Sequence, residues 1–489
     1  ILEIQNSSAL GTGAIAQTSG SVIQVNGSGL NIANAITNLN GTGISSGGAL
    51  INVANSNTWS GAITLGSASQ INSTAGTLTL SGGITGTGLG LTFDGGGNTT
   101  VSTTGINTGS GGSVTKSGVG TLSISASSNY TGGTTLSAGI LEIQNSSALG
   151  TGAIAQTSGS AIQVNGSGLN IANAITNLNG TGISSGGALI NVANSNTWSG
   201  VITLGSASQI TSTAGTFTLS GTGGILGTGQ SLTVNGTGNT SITTGINTST
   251  AGSLTKSGSG TLTLSAASNY TGGTTLSNGT LVASNITALG TAASALNLNG
   301  GNLDLQINSS ITAYNTTVGG NATITSNLAS SGTGITHTLG TLSIGANTLT
   351  LSRGSNVTSG TAGLTFGATT LSGNATFSPA TGTLLTLGAV TGTGRSMTVS
   401  GAGNMTLAGG LNTSTAGSLI MSGGTLTLTA AGNYTGGTTL SAGILEIQNS
   451  SALGTGAIAQ TSGSVIQVNG SGLNIANAIT NLNGTGISS

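Results

Sequence analysis

Eighty residues of this chain occur twice almost letter for letter. Residues 1–80 return as 140–219 with four differences: Val22 becomes Ala161, Ala62 becomes Val201, Asn72 becomes Thr211 and Leu78 becomes Phe217. Residues 444–489 then repeat 1–46 without change, which sets a superperiod of 443 residues. Copies this similar cannot each build a core of their own design. They must pack on their neighbours by one shared rule, as the repeats of a solenoid do, and this overrides the several globular domains that 489 residues would suggest. The units read as 1–139, the near-identical 140–279, a longer and diverged 280–443, and 444–489 as the start of the next superperiod. On this reading both ends of the sequence fall inside a longer array.

The local pattern is β. Ninety-one glycines among many Ser, Thr and Asn would on composition alone suggest disorder, but disordered chains pair low hydrophobicity with high charge, and here mean hydropathy is +0.29 with 2% charged residues. Apolar residues alternate with Thr, Ser or Asn in short runs, as in Leu78-Thr79-Leu80 and Val22-Ile23-Gln24-Val25, the signature of half-buried strands. Gly or Asn interrupts every stretch long enough for a helix, and no run of 18 apolar residues is present to span a membrane. Tight Asn-Gly hairpins between strands of matched length are missing and small residues mark the corners, so the expected fold is all-β, a right-handed parallel β-helix or β-solenoid. With coils of roughly 20 residues stacked about 4.8 Å apart, such a chain makes on the order of 24 coils and a rod near 115 Å long. Leu122, Ile124, Leu141 and Ile143 are then expected to point inward, and Ser123 and Glu142 outward.

One nine-residue string punctuates the repeats. Asn129-Tyr130-Thr131-Gly132-Gly133-Thr134-Thr135-Leu136-Ser137 recurs at 269–277 with Asn269, Tyr270, Gly272 and Gly273, and at 433–441 with Asn433, Tyr434, Gly436 and Gly437. An alternating strand precedes each copy: Thr121-Leu122-Ser123-Ile124, Thr261-Leu262-Thr263-Leu264 and Thr425-Leu426-Thr427-Leu428. Taken together, Lys256 to Leu281 resembles the passenger-associated transport repeat of bacterial autotransporters, K-S-G-x-G-T-L-T-L-S-x-x-N-Y-T-G-G-T-T-L-x-x-G-x-L. The third copy departs from it, with Met421 where Lys116 and Lys256 stand and one loop residue fewer. We take the twelve Asn, Tyr and Gly positions of the motif as structural, and expect each tyrosine to fill a corner with its hydroxyl wet.

Several function classes find no support in the residues. Five acids, four Lys or Arg and one histidine are spread over 489 residues, so the groups that catalysis must bring together are scarce. A Ser-His-Asp arrangement would have to use His337, expected as an exposed loop residue, with Asp304 as its nearest acid. Asp94-Gly95-Gly96-Gly97-Asn98 is a single Gly-rich turn rather than a calcium-binding array, and with no cysteine we assign no metal, cofactor or catalytic residue. Net charge of −1 leaves no basic surface for nucleic acid. Lys116 and Glu142 lie one coil apart and could pair on the surface, but the other units oppose the idea, since Lys256 faces Val282 at the equivalent place and Glu446 faces Met421. Thr-Leu-Thr occurs too sparsely for an ice-binding array. The unusual side chains Asp304, His337, Arg353, Pro379 and Arg395 all fall in the diverged unit, where any specialised patch is expected.

The resemblance implies export through the inner membrane and an outer-membrane translocator barrel, hence a secreted or bacterial cell-surface location. The expected role is a non-enzymatic structural or adhesive fibre or stalk that associates with itself end to end and laterally, with no small-molecule substrate. The alternatives are an adhesin module for glycans or host proteins, and a multi-chain matrix or sheath fibre.

Overall fold

A computed structural model describes residues 1–483. The protein is all-β, a parallel β-solenoid, and the helical segments among the described residues are the 3-10 turns Ile44–Ser46 and Ile183–Ser185. Among the described residues no helix is long and apolar enough to cross a membrane. The chain divides into two compact units, Ile1–Thr248 and Ser249–Ser489.

In both units the chain winds round three faces, here A, B and C. One coil of the first unit takes Gly90–Asp94 on face A, Asn98–Val101 on face B and Ile106–Asn107 on face C, and regains face A at Ser113–Lys116. Each strand bonds in parallel to its counterparts in the coils before and after, as Thr121–Ile124 does to Asn98–Val101 and Ile140–Ile143. In-register partners lie from 19 residues apart (Leu122 and Leu141) to 28 (Thr348 and Thr376), so coils differ chiefly in the length of their corners. Alternation does the rest, because a strand turns every second side chain to the interior. Leu122, Ile124, Leu141 and Ile143 are buried while Ser123 and Glu142 face out, and Leu122, Leu262 and Leu426 fill equivalent inward slots.

The repeat is not a whole number of coils. Leu2–Ile4 lies on face A, in a column that runs through Ile23–Asn26, Leu50–Ala54, Ile63–Ser73, Gly90–Asp94 and Ser113–Lys116 to Thr134–Leu136, six coils on. Its copy Ile140–Ile143 lies on face B, between Thr121–Ile124 and Ala161–Asn165. One repeat therefore advances six coils and one face. In the second unit, likewise, Thr280–Ala283 and Ile444–Ile447 occupy neighbouring columns. Equivalent side chains such as Trp59 and Trp198, both buried, thus sit on successive faces.

The coil beneath decides how a strand breaks. The ten residues Thr134-Thr135-Leu136-Ser137-Ala138-Gly139-Ile140-Leu141-Glu142-Ile143 form two strands, whereas the identical letters at 438–447 form one, Thr438–Ile447. In the first case four residues, 117–120, lie between Lys116 and Thr121, facing only three, 137–139. In the second, Ser422-Gly423-Gly424 face Ser441-Ala442-Gly443, three against three, and the ladder runs on from Leu419–Leu428. The surplus residue Val119 stands out in solvent.

Because Leu262 is sealed in this core and Thr263 faces outward, Leu262→Ala is expected to cost roughly 2–5 kcal/mol and Thr263→Ala about 0.5 kcal/mol or less. Urea unfolding of the two variants checks this. Equal midpoints would contradict the inward assignment.

Candidate functional site

The recurring nine-residue string is a clamp on the preceding coil. Asn129 Oδ1 accepts from Gly109 N at 3.0 Å, and Thr131 Oγ1 from Gly111 N at 3.1 Å. Asn269 and Thr271 hold Ser249 and Ala251 in the same way, and Asn433 and Thr435 hold Ser414 and Ala416. Between these two side-chain acceptors the chain closes in. Gly132 N donates to Gly112 O at 2.7 Å, and its counterparts Gly272 and Gly436 donate to Gly252 and Gly417. The second glycine, Gly133, Gly273 or Gly437, has φ of +90°, +93° or +81°, and a Cβ there would meet a backbone oxygen of the following coil at 2.7–2.8 Å. Both glycines are therefore dictated by coil-to-coil approach.

The tyrosines behave differently from expectation. Tyr130, Tyr270 and Tyr434 are fully buried, and each hydroxyl pairs with the threonine four residues on, Thr134, Thr274 or Thr438, at 2.6–2.7 Å. Their hydroxyls are dry rather than wet, because the ring plugs the corner from inside and the threonine supplies the partner that water would have supplied. Burial pushes all three phenols above their ordinary range.

The lysines also turn inward. Lys116 and Lys256 continue the inward parity of Val114 and Leu254 and are 3% and 2% exposed, with Nζ on the carbonyls of Gly118 and Gly258. No surface pair of Lys116 with Glu142 forms. Glu142 instead accepts from Ser123 Oγ and Gln144. The ammonium caps the looser four-residue corner, and Met421 stands where that corner is absent. Desolvation lowers both lysines to about 8, opposed at Lys116 by the charge of Asp94.

In the diverged unit, Asn327 stands between two of the unusual side chains, His337 and Asp304. His337 is fully buried on Thr336–Thr338, not exposed on a loop, since its strand turns it into the core opposite Leu364. Its Nε2 lies 3.2 Å from Asn327 O, and Nδ1 has no partner. Asn327 also donates from Nδ2 to Asp304 Oδ2 at 3.2 Å and accepts at Oδ1 from the Leu328 and Asn356 amides. Arg353 Nε donates to Val357 O at 2.7 Å. These contacts tie down a side lobe in which Gly332–Thr333 pairs with Val357–Ser359 and Leu328, Ile335, Val357 and Ala362 pack together. Desolvation lowers His337 and raises Asp304, so burial favours the neutral form of both. Ser326 Oγ donates to Ile335 O, and an asparagine amide separates histidine from acid. Pro379 closes the strand Ala375–Pro379, and Arg395 is exposed. Among the described residues no group of three or more His, Cys, Asp or Glu is placed to hold a metal.

Outside the core, one polar recess recurs. Ser7, Ser8, Gly11, Thr12, Asn31 and Asn34 line the first copy, and Ser146, Ser147, Gly150, Thr151, Asn170 and Asn173 the second. In the next superperiod it returns with Ser450, Ser451, Gly454, Thr455 and Asn477. Sequence reasoning missed it, although the string Asn-Ser-Ser-Ala-Leu-Gly-Thr-Gly that builds it is repeated verbatim.

The passenger-associated-transport-repeat family model matches the chain three times, at residues 114–143, 254–283 and 421–447, so the clamp and its flanking strands are similar to such repeats. No curated protein and no solved structure matches the chain.

The buried lysines and tyrosines set a pH signature. An unfolded lysine keeps its proton to about 10.5 while the folded ones lose it near 8. The unfolded chain thus binds more protons between these values, and stability rises with pH. Above pH 10 the unfolded tyrosines ionise first, and stability falls. The melting temperature is expected to climb from pH 8 to about 10 and then turn over, and the double variant Lys116→Met, Lys256→Met to lose the climb. A flat wild-type profile from pH 8 to 10 would refute the buried ammonium groups.

Proposed function

From its three passenger-associated transport repeats we infer that this chain is part of an exported bacterial surface protein, an autotransporter passenger. Its work is mechanical: it serves as a stalk or fibre, with adhesion as its outcome at the cell surface. The observation that carries this reading is the clamp. Asn129, Thr131 and Gly132 and their two sets of counterparts fasten coil to coil with neutral side chains and backbone alone. Such contacts add stability roughly in proportion to the number of coils. A chain without cysteine needs no oxidation to reach this fold, which suits export followed by folding outside the cell. A translocator barrel in the outer membrane is the partner that this route requires.

Self-association follows from the same composition. Nine charged side chains in 489 residues leave little like-charge repulsion between neighbouring molecules. The full chain is expected to form filaments and then bundles, with little change between about 0.05 and 0.5 M salt. Electron microscopy and light scattering across that series are the check. Monodisperse monomers at high concentration, or assemblies that dissolve as salt is raised, would overturn the assembling-fibre reading.

A further inference from the structure

The recurring recess has the makings of a binding site. Its floor is an asparagine that is 5% exposed in both copies of the first unit. Asn173 Nδ2 is turned to the carbonyls of Leu149, Gly150 and Gly152, and Asn34 Nδ2 to those of Gly11 and Gly13, the shortest at 2.8 and 2.6 Å. An amide held by its nitrogen presents its oxygen on the opposite side. Neither Oδ1 takes a hydrogen bond from the protein, and neither is among the sealed, unpartnered atoms of the core. Each therefore stands as a fixed acceptor open to the recess. Round the rim Ser147 Oγ, Thr151 Oγ1 and the Asn170 side chain, like Ser8, Thr12 and Asn31, make no hydrogen bond within the protein and offer donors and acceptors together.

We propose that this recess is a subsite for neutral glycans, repeated along the chain and displaced by one face between the two copies of the first unit. The chemistry excludes the other ligand classes. No charged side chain lines it to attract a phosphate, sulfate or uronate. A peptide would need an apolar pocket or a free strand edge, and apart from one alanine in each copy the lining is hydroxyl, amide and glycine. Sugar hydroxyls both donate and accept, which matches a fixed carbonyl oxygen ringed by free hydroxyls. The volumes, 300 Å³ in the second copy and 490 Å³ in the first, fall within the range of small-molecule sites, about 300–1,000 Å³. With no aromatic platform each recess binds weakly, and avidity has to come from the number of copies.

The advance of six coils and one face separates the two recesses of the first unit by about 30 Å along the axis and turns them to different sides. A glycan lying along one side meets one recess, and its neighbour meets another strand of sugar. The chain therefore cross-links polysaccharide instead of lining up on a single strand.

The test is native electrophoresis of the full 489-residue chain through gels containing dextran, mannan or galactan, with turbidity measured as long polysaccharide is added to the protein. At least one of the three is expected to retard the chain and to give turbidity that the matching monosaccharide reverses. The triple variant Thr12→Val, Thr151→Val, Thr455→Val is expected to weaken retardation at least tenfold. The milder Ser8→Ala, Ser147→Ala, Ser451→Ala set repeats the test should the valines disturb folding, and Thr79→Val with Thr218→Val, on strands away from the recess, is expected to change nothing. Migration unaffected by all three polysaccharides, retardation only by a sulfated one, or full retardation of both recess variants would overturn the proposal. Because filament formation is read separately, its loss leaves this result standing, and the reverse.

Discussion

Backbone hydrogen bonds between consecutive coils are the interaction on which everything else in this protein depends. Within a coil the described strands do not pair with one another, so every strand takes its existence and limits from the strand beneath. The ten identical residues at 134–143 and 438–447 make the point, since they form two strands over a four-residue corner and one unbroken strand over a three-residue corner. Propensity is the same in both and cannot be the cause. What differs is whether residue numbers match across the ladder, because parallel pairing advances one residue at a time on each side. Corner chemistry follows from that count: a buried ammonium on a loose carbonyl in two repeats, a methionine where the corner has closed.

The interior this produces is more polar than a leucine stack. Asn52, Asn57 and Ser73 form a sealed network, with Asn57 Nδ2 on Asn52 Oδ1 at 2.8 Å, and Asn191, Asn196 and Ser212 reproduce it. Most of the remaining amide hydrogens go to backbone carbonyls at corners, as from Asn52 to Ala75 and from Asn57 to Gly27. Each corner exposes carbonyls that the ladder does not use, and a short amide side chain reaches them without leaving its coil. Neutral polar groups can be stacked this way at modest cost. Charged ones are stacked only at greater cost, and the two buried lysines are each held by a corner carbonyl.

Strand positions and inward faces were legible in the sequence because alternation with period two survives in runs as short as Thr121-Leu122-Ser123-Ile124. The same rule, applied without regard to residue type, also places Lys116 inside, two positions from Val114. It was charge that suggested the surface and the pairing with Glu142. His337 between two outward threonines carried the same signal. The tyrosine hydroxyls were illegible for a different reason. Their partner is four residues away round a corner, and neither period describes a corner. The recess escaped notice because it is made of carbonyl directions and free hydroxyls, which the letters Ser, Thr and Asn carry equally at dozens of other positions.

The one-face step of the repeat has a meaning at the level of the gene. An array of near-identical repeats can differ from another by whole copies, and here such a difference would change more than length. Adding one 139-residue copy swings everything beyond it by a third of a turn, so a domain carried further along the chain would face a new direction. Three additions bring it back. A change in copy number would therefore alter orientation as well as reach, and two arrays differing by a single repeat would present the same distal surface in different directions.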